Sequence, residues 1–156
     1  MTNASFTGKT ALISGGASGI GLATAQRLIS QGATVWIADI QDTLGQQIAE
    51  EIGANYLHLD VAKEEEWTSA VELIAGQGQG LHLLMNNAGI AIGGTLETQT
   101  TAEFLQTINI NLLGVFLGCK VCAPLLALSG GGSIVNVSSI WGMVSDPGAV
   151  AYSASK

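Results

Sequence analysis

The chain has 156 residues, of which 47% are hydrophobic and 11% charged, and its formal net charge is −7. This length suffices for one domain with a buried core, and so apolar a composition excludes a disordered chain. The 5 Lys and Arg residues against 12 Asp and Glu argue against binding to nucleic acid or to anionic membrane surfaces. We find no secretory signal and no apolar run long enough to span a membrane, so we expect a cytoplasmic protein.

Short apolar runs alternate with helical patterns along the chain. Leu22, Ala25 and Leu28 recur at helical spacing, for example, and predict a helix after the first apolar run. A long helix is predicted over residues 102–128, and another begins near Tyr152. Strands are predicted over residues 10–14, 34–38, 54–59, 81–85 and 133–138. Repeated strand–helix–strand units predict one α/β domain over residues 1–156, a doubly wound parallel sheet of the Rossmann type with helices on both faces.

A glycine-rich segment, Ser-Gly-Gly-Ala-Ser-Gly-Ile-Gly, lies directly between the first predicted strand and the first predicted helix, over residues 14–21. Gly15 can form the turn that leaves the strand, Gly19 allows backbone to approach a pyrophosphate, and Gly21 lets the helix pack close to the sheet. The free N–H groups at the start of the helix also favour phosphate. The segment therefore predicts a dinucleotide site, with a structural turn as the alternative.

Further candidates follow the second, third and fourth predicted strands. A carboxylate at Asp39 can accept hydrogen bonds from ribose hydroxyls and would repel a 2′-phosphate, which favours NAD over NADP. The alternative is a helix cap, for which Asp42 is better placed. Asp60 and Val61 can hold the adenine, although Asp60 can also cap the next helix. The amides of residues 86–89 suit either cofactor approach or bonds to neighbouring backbone.

The cysteines and histidines are not predicted to bind a metal. Cys119 and Cys122 lie three positions apart in a predicted helix, and no second pair or nearby histidine completes a zinc site. We expect two small apolar residues there. His58 and His82 lie in predicted strands, where we expect each to be a structural residue.

Tyr152 and Lys156 are four positions apart at the predicted start of a helix, which places both side chains on one face. Ser139 ends the fifth predicted strand thirteen positions earlier. Together with the glycine-rich segment and Asn-Asn-Ala-Gly at residues 86–89, this arrangement closely resembles the classical short-chain dehydrogenase/reductase family. The resemblance extends from about Phe6 to the end of the chain.

The resemblance implies a role for each matching residue in an NAD-dependent alcohol dehydrogenase or ketone reductase. Tyr152 would be the general acid/base, and Lys156 would bind the nicotinamide ribose and favour the phenolate of Tyr152. Ser139 would bond the substrate oxygen, and Asn111 would hold a water that connects to Lys156. The residues expected to contact the dinucleotide are Gly15, Ser18, Gly19, Ile20, Gly21, Asp39, Ile40, Asp60, Val61, Asn87, Ala88, Gly89, Tyr152 and Lys156.

The substrate is expected to be a hydrophobic secondary alcohol or ketone. Trp141, Met143, Val144 and Val150 lie between Ser139 and Tyr152 and are predicted to form an apolar wall near it. Two other functions remain open at this point. One is a dinucleotide-binding module without catalysis, and the other is an epimerase or dehydratase on the same scaffold.

The resemblance also concerns completeness and assembly. Members of the family continue beyond the position of Lys156 with further helix and two more strands, so we expect an incomplete domain whose fifth strand is an exposed apolar edge. We therefore expect the 156-residue chain alone to be poorly soluble and inactive. Members are commonly homotetramers, and the apolar surface from Leu112 to Leu128 fits such a contact.

Overall fold

The computed structural model describes residues 5–78 and 80–156, in which strands and helices alternate. The strands are β1 Thr10–Ser14, β2 Thr34–Asp39, β3 Asn55–His58, β4 Leu83–Asn86 and β5 Ser133–Asn136. The helices are α1 Gly19–Ile29, α2 Asp42–Ile52, α3 Glu64–Gly76, α4 Thr101–Ile108, α5 Gly114–Leu128 and α6 Val150–Ser155. A π-helical segment, Asn109–Leu113, joins α4 to α5, and a 3₁₀ turn, Ile140–Gly142, precedes α6.

The five strands form one sheet in the order β3-β2-β1-β4-β5, and every pair is parallel. The chain therefore moves outwards from β1 to one edge and then returns to the other side of β1. This order confirms the predicted doubly wound α/β fold. Ligands in such sheets bind beyond the carboxyl ends of the strands, beside the point where the strand order reverses.

Two apolar layers enclose the sheet. Leu12 and Leu84 pack with α3 and α5 on one face, where Trp67 is fully buried. Ile13 and Ile37 pack with α1 and α2 on the other face. All five positions of β1 are buried, as a central strand covered on both faces requires. The layers fix the strand ends against which the glycine-rich turn is built.

The continuous helix Thr101–Leu128 includes the π-helical segment Asn109–Leu113. Its most apolar stretch has a mean hydropathy of 1.9, so its length and composition would allow it to cross a membrane. The expectation that no segment reaches such a length was therefore wrong. Leu117, Cys122 and Leu126 of this helix are buried against the sheet, as in the core helix of an α/β domain.

β5 forms one edge of the sheet, beside β4. All four of its residues are exposed, and the exposed fractions of Ile134 and Val135 are 39% and 46%. This agrees with the predicted apolar edge strand. The carboxyl ends of β4 and β5 nevertheless bring the segments after them to the same side of the sheet as the glycine-rich turn.

Candidate active site

A cavity of about 470 Å³ opens at the carboxyl ends of the strands, next to the β1–α1 turn. It contains every expected dinucleotide contact except Gly21. Its lining also includes side chains that sequence reasoning missed, although most lie directly beside predicted ones. The lining residues are Gly15, Ser18, Gly19, Ile20, Asp39, Ile40, Gln41, Leu59, Asp60, Val61, Asn87, Ala88, Gly89, Ile90, Ala91, Ile110, Val137, Tyr152 and Lys156.

Glycine is required in the β1–α1 turn for two different reasons. Gly15 and Gly19 have φ of +63° and +53°, which a residue with a side chain rarely adopts. Gly21 is buried, and a Cβ atom placed on it would lie 2.7 Å from Asn87 Nδ2 and would overlap the carbonyl oxygen of Gly15. Gly21 thus packs against the turn and does not line the cavity.

Asn87 fastens β4 to the end of β1. Its Nδ2 donates to the carbonyl oxygens of Ser14 and Gly15, both at 3.0 Å. Ser14 Oγ in turn accepts from the backbone N–H groups of Asn87 and Ala88, at 3.1 and 3.2 Å. Two roles were considered for residues 86–89. The side-chain amide of Asn87 bonds to neighbouring backbone, and Asn87, Ala88 and Gly89 also border the cavity.

Asp39 connects the glycine-rich turn to the loop after β2. Its Oδ2 accepts from Ala17 N at 3.3 Å, and its Oδ1 accepts from Gln41 N at 3.2 Å. Although only 7% of Asp39 is exposed, the residue borders the cavity. Its carboxylate is therefore preorganised by two backbone N–H groups at the edge of the site.

Asp42 does not cap α2, contrary to the sequence-based alternative. The N-cap residue is Gln41, which makes no side-chain cap bond, and Asp42 is the first helical residue. Asp42 Oδ1 accepts from Tyr56 Oη at 2.7 Å and contacts His58 Nδ1 at 2.8 Å. The hydrogen bonds from Tyr56 and His58 lower the pKa of Asp42. Tyr56 Oη also lies 2.8 Å from the carbonyl oxygen of Asp39, so the hydroxyl group contacts the last residue of β2.

Asp60 borders the cavity but does not cap α3, whose N-cap residue is Lys63. Asp60 Oδ1 accepts from Ala62 N at 3.1 Å, and Oδ2 lies 3.4 Å from Lys63 Nζ. The carboxylate therefore shapes the loop after β3, and the cap alternative is wrong. Val61 borders the cavity beside it, and its carbonyl oxygen accepts from Trp67 Nε1 at 3.0 Å.

Tyr152 and Lys156 both border the cavity, in the first turn of α6 and at its end. Lys156 Nζ donates to the carbonyl oxygen of Val137 at 2.8 Å and lies 5.7 Å from the ring centroid of Tyr152. Burial lowers the pKa of Lys156. The ring of Tyr152 meets Trp141 edge-on, with ring centroids 5.7 Å apart. The phenol of Tyr152 and the ammonium of Lys156 thus border the same cavity as the glycine-rich turn.

Asn111 is 2% exposed and does not border the cavity. Its Oδ1 accepts from Ile90 N at 2.8 Å, while Nδ2 donates to Ile90 O at 2.8 Å and to Ser155 Oγ at 3.0 Å. A Cβ atom placed on Gly89 would lie 3.2 Å from Asn111 Oδ1 and 3.6 Å from Lys156 Nζ. Glycine at position 89 therefore leaves space between these two side chains.

Ser139 is half-buried, lies outside the cavity lining and caps the 3₁₀ turn, since its Oγ accepts from Trp141 N at 3.2 Å. Three of the residues predicted to form an apolar wall are exposed. The exposed fractions are 39% for Trp141, 84% for Met143 and 61% for Val144. Val150 is half-buried at the start of α6.

The cysteines and histidines have structural surroundings. Cys122 is buried in the core, whereas the half-buried Cys119 lies 3.5 Å from Asn86 Nδ2. His82 Nδ1 accepts from Thr10 N at 3.1 Å, and burial lowers the pKa of His82. Within residues 5–78 and 80–156, no three His, Cys, Asp or Glu side chains are grouped so as to hold a metal ion.

Known proteins are similar to this chain in sequence and in fold. The sequence model described as "short chain dehydrogenase" matches residues 9–156. The chain is 40% identical over 151 residues to a 3-alpha-(or 20-beta)-hydroxysteroid dehydrogenase of Mycobacterium tuberculosis, covering 96% of this chain and 58% of that protein. It is 41% identical over 153 residues to the cyclopentanol dehydrogenase of Comamonas testosteroni, covering 95% of this chain and 61% of that protein.

A third relative is the trans-4-hydroxycyclohexanecarboxylate dehydrogenase of Sinomonas cyclohexanicum, 42% identical over 159 residues, with 95% of this chain and 61% of that protein covered. The crystal structure of gox2181 superposes with a TM-score of 0.94 and 29% identity, covering 100% of this chain and 64% of that one. The chain spans about three fifths of the length of these curated relatives. Because the family model matches residues 9–156, the chain belongs to the short-chain dehydrogenase family.

Proposed function

We propose that this chain provides the cofactor site and the acid–base pair of an NAD-dependent dehydrogenase or ketone reductase acting on secondary alcohols. One observation carries the proposal. A single cavity of about 470 Å³ is bordered by Gly15 and Gly19, by Asp39, and by Tyr152 with Lys156. Its volume lies within the usual range of small-molecule sites, about 300–1,000 Å³.

The residues that border the cavity fit a dinucleotide. At the β1–α1 turn, Gly15, Ser18, Gly19 and Ile20 would hold the pyrophosphate, because the glycines keep side chains away and α1 presents its free N–H groups. The preorganised carboxylate of Asp39 would accept from the adenosine ribose hydroxyls, next to Ile40. This arrangement supports NAD over NADP, since a 2′-phosphate would meet a carboxylate.

The remaining contacts follow from the other strand ends. Asp60 and Val61 would hold the adenine, and Asn87, Ala88 and Gly89 would lie along the middle of the dinucleotide. Lys156 would bind the nicotinamide ribose. The cofactor, when bound, supplies or accepts the hydride.

Tyr152 would act as the general acid/base. It would donate a proton to the substrate carbonyl in reduction and accept one from the alcohol in oxidation. Lys156 supports this role because its Nζ lies 5.7 Å from the ring centroid of Tyr152. Both side chains border the same cavity, as a residue that exchanges a proton and its cationic neighbour must.

Ser139 and Asn111 have supporting roles in the proposal. Ser139 would donate to the substrate oxygen, for which its hydroxyl hydrogen is available while the oxygen accepts from Trp141 N at 3.2 Å. Asn111 would hold a water that leads towards Lys156. A Cβ atom placed on Gly89 would lie 3.2 Å from Asn111 Oδ1 and 3.6 Å from Lys156 Nζ, so the side chains of Asn111 and Lys156 both approach Gly89.

We propose an alicyclic secondary alcohol, or the matching ketone, as the substrate class. The exposed Trp141, whose ring contacts Tyr152, and the exposed Met143 and Val144 that follow it in sequence offer an apolar surface for a ring. The similar proteins are named for a hydroxysteroid, for cyclopentanol and for a hydroxycyclohexanecarboxylate. All three names denote an alcohol on an aliphatic ring.

The test is the absorbance of the reduced cofactor, followed with the complete gene product that contains this chain. Cyclic secondary alcohols, matched primary alcohols and no-substrate controls are supplied with NAD or with NADP. We expect reduction with NAD and cyclic secondary alcohols, at a rate well above that with NADP. Cofactor binding without turnover on the whole panel would contradict the proposal and favour a non-catalytic dinucleotide module.

We also propose a homotetramer formed through the long helix. Leu112 and Phe116 on this helix are 50% and 58% exposed, and Leu128 is 85% exposed, which leaves an apolar surface available. Sedimentation velocity of the complete gene product tests this. A stable monomer at micromolar concentration would contradict it.

A further inference from the structure

The side chain of Gln99 bonds to the first turn of α6, the helix that carries Tyr152. Gln99 Oε1 accepts from Ala151 N at 3.0 Å, across 52 positions of sequence. Its Nε2 donates to the carbonyl oxygen of Ile92 at 3.0 Å. The N-cap residue of α6 is Ala149, which makes no side-chain cap bond. Gln99 therefore supplies the capping acceptor that α6 lacks in its own sequence.

Gln99 is itself held firmly by its surroundings. The next residue, Thr100, is the N-cap of α4 and forms a capping box with Glu103. Gln99 N donates to the carbonyl oxygen of Thr95 at 2.9 Å, so a tight turn fixes the backbone on the other side as well. A Cβ atom on Gly94 would lie 3.0 Å from Gln99 Cβ, which shows how closely the side chain is packed. The amide of Gln99 is thus presented from a fixed backbone.

The end of α6 is held separately. Asn111 Nδ2 donates to Ser155 Oγ at 3.0 Å, and Ser155 Oγ donates to the carbonyl oxygen of Tyr152 at 2.7 Å. Lys156 Nζ is bonded to Val137 O at 2.8 Å. Gln99 provides the contact at the start of the helix, directly before Tyr152.

We propose that Gln99 is a positioning residue that fixes the Tyr152 hydroxyl relative to Lys156, although it does not border the cofactor cavity. This inference rests on the proposed acid–base role of Tyr152. Releasing Ala151 N would loosen the first turn of α6 and displace the ring that follows it. Because a misplacement of about 1 Å can slow a reaction by ~100-fold, loosening one turn is expected to lower kcat by about tenfold.

Three variants of the complete gene product test the proposal. Gln99→Met keeps the length of the side chain but removes the acceptor for Ala151 N and the donor to Ile92 O. Gln99→Glu also loses the donor to Ile92 O, but it keeps the acceptor and places a negative charge at the start of a helix. Gln47→Met, at an exposed position on α2, is the matched control. The measurements are hydrogen exchange of the Ala151 amide, the NAD dissociation constant, and kcat and KM.

In Gln99→Met we expect exchange of the Ala151 amide to accelerate by about tenfold or more, because the bond that protects it is gone. We expect kcat to fall by about tenfold, with KM and the NAD dissociation constant within about twofold of the parent. Gln99→Glu is expected to restore protection of the amide and most of kcat. Gln47→Met is expected to match the parent in every measurement.

Several outcomes would overturn the proposal. Parental exchange or parental kcat in Gln99→Met would remove the role of the bond, and so would a parallel loss of NAD affinity. If Gln99→Met does not fold, an unprotected Ala151 amide in a folded Gln99→Glu would have the same meaning. If the parent protein has no turnover, the proposed function fails and with it this role, while the exchange measurement still decides whether Gln99 caps α6.

Discussion

Replacing Asp39 by asparagine tests how the site selects its cofactor. Both carboxylate oxygens of Asp39 accept a backbone N–H, from Gln41 at 3.2 Å and from Ala17 at 3.3 Å. Asparagine has the same shape but only one acceptor oxygen, so one of these N–H groups would face an amide nitrogen. The variant therefore changes both the charge at the cavity and the link between the two loops.

We expect the charge effect of Asp39→Asn to dominate the change in cofactor preference. A carboxylate about 5 Å from a 2′-phosphate costs ~3 kcal/mol per unit charge at an effective dielectric near 20. That corresponds to a factor of about 100 in affinity, so NADP binding should strengthen by this order in Asp39→Asn. If Asp39 binds the ribose as proposed, NAD would lose a charge-assisted hydrogen bond and keep an amide oxygen, and should bind about tenfold more weakly.

The loop effect appears in stability. The N–H group that loses its acceptor should lower the free energy of unfolding by about 1–3 kcal/mol. For a domain of this size each kcal/mol lowers Tm by about 2–4 °C. Glu50→Gln, at an exposed position on α2, removes the same charge away from the cavity and is the matched control. Glu50→Gln should change neither the cofactor affinities nor the Tm.

Titration calorimetry with NAD and NADP measures the two affinities, and a thermal melt gives Tm. We expect the ratio of NAD to NADP affinity to fall by roughly 1,000-fold in Asp39→Asn. An unchanged ratio in a folded Asp39→Asn protein would refute the assignment of this carboxylate to the ribose. A change of the same size in Glu50→Gln would show that net charge, and not this position, sets the preference.

Two further predictions concern packing and burial. In Gly21→Ala the new Cβ would lie 2.7 Å from Asn87 Nδ2. We therefore expect the free energy of unfolding to fall by about 1–3 kcal/mol and NAD to bind more weakly. The control is Gly76→Ala, whose Cβ would meet no atom within 4 Å and which should leave the stability unchanged. Equal denaturant midpoints for both variants would contradict this. Burial raises the pKa of the Cys122 thiol to about 12. Iodoacetamide at pH 8 should therefore label the half-buried Cys119 and leave Cys122 unlabelled, as measured by mass spectrometry. Labelling of both cysteines in the folded protein would contradict this prediction.

The strands show which parts of the fold a sequence can specify. β1 was predicted over residues 10–14 and spans Thr10–Ser14, because all of its side chains are buried and its apolar run has clear ends. β5 was predicted to reach residue 138 but ends at Asn136, at the edge of the sheet with all its residues exposed. An edge strand has pairing on one side only, so apolar pattern fixes its end less tightly.

The long helix shows what a sequence leaves out. Its apolar periodicity predicted one helix over residues 102–128, but the segment Asn109–Leu113 is π-helical. Asn111 within it bonds both backbone groups of Ile90, a contact made across 21 positions of sequence. Apolar periodicity cannot show this contact, because Ile90 is brought near Asn111 only by the fold. π-Bulges occur frequently at functional sites.

The candidate site also contains residues that the sequence could predict and residues that it could not. Glycine spacing and strand ends predicted part of the cavity lining, because in a parallel sheet all carboxyl ends meet at one edge. The family resemblance added Ile40, Tyr152 and Lys156. Asp42 was misjudged as a cap because its partners, Tyr56 and His58, come from the neighbouring strand. Gln99 carries no sequence signal, since its partner Ala151 is 52 positions away.

The most direct test of the account is Tyr152→Phe in the complete gene product. This variant removes one hydroxyl and keeps the ring that meets Trp141 edge-on at 5.7 Å. We predict that NAD-linked turnover of a cyclic secondary alcohol falls by at least about 100-fold while the NAD dissociation constant stays within about twofold. Retained turnover, or loss of NAD binding together with turnover, would contradict the assignment of Tyr152 as the acid/base of this site.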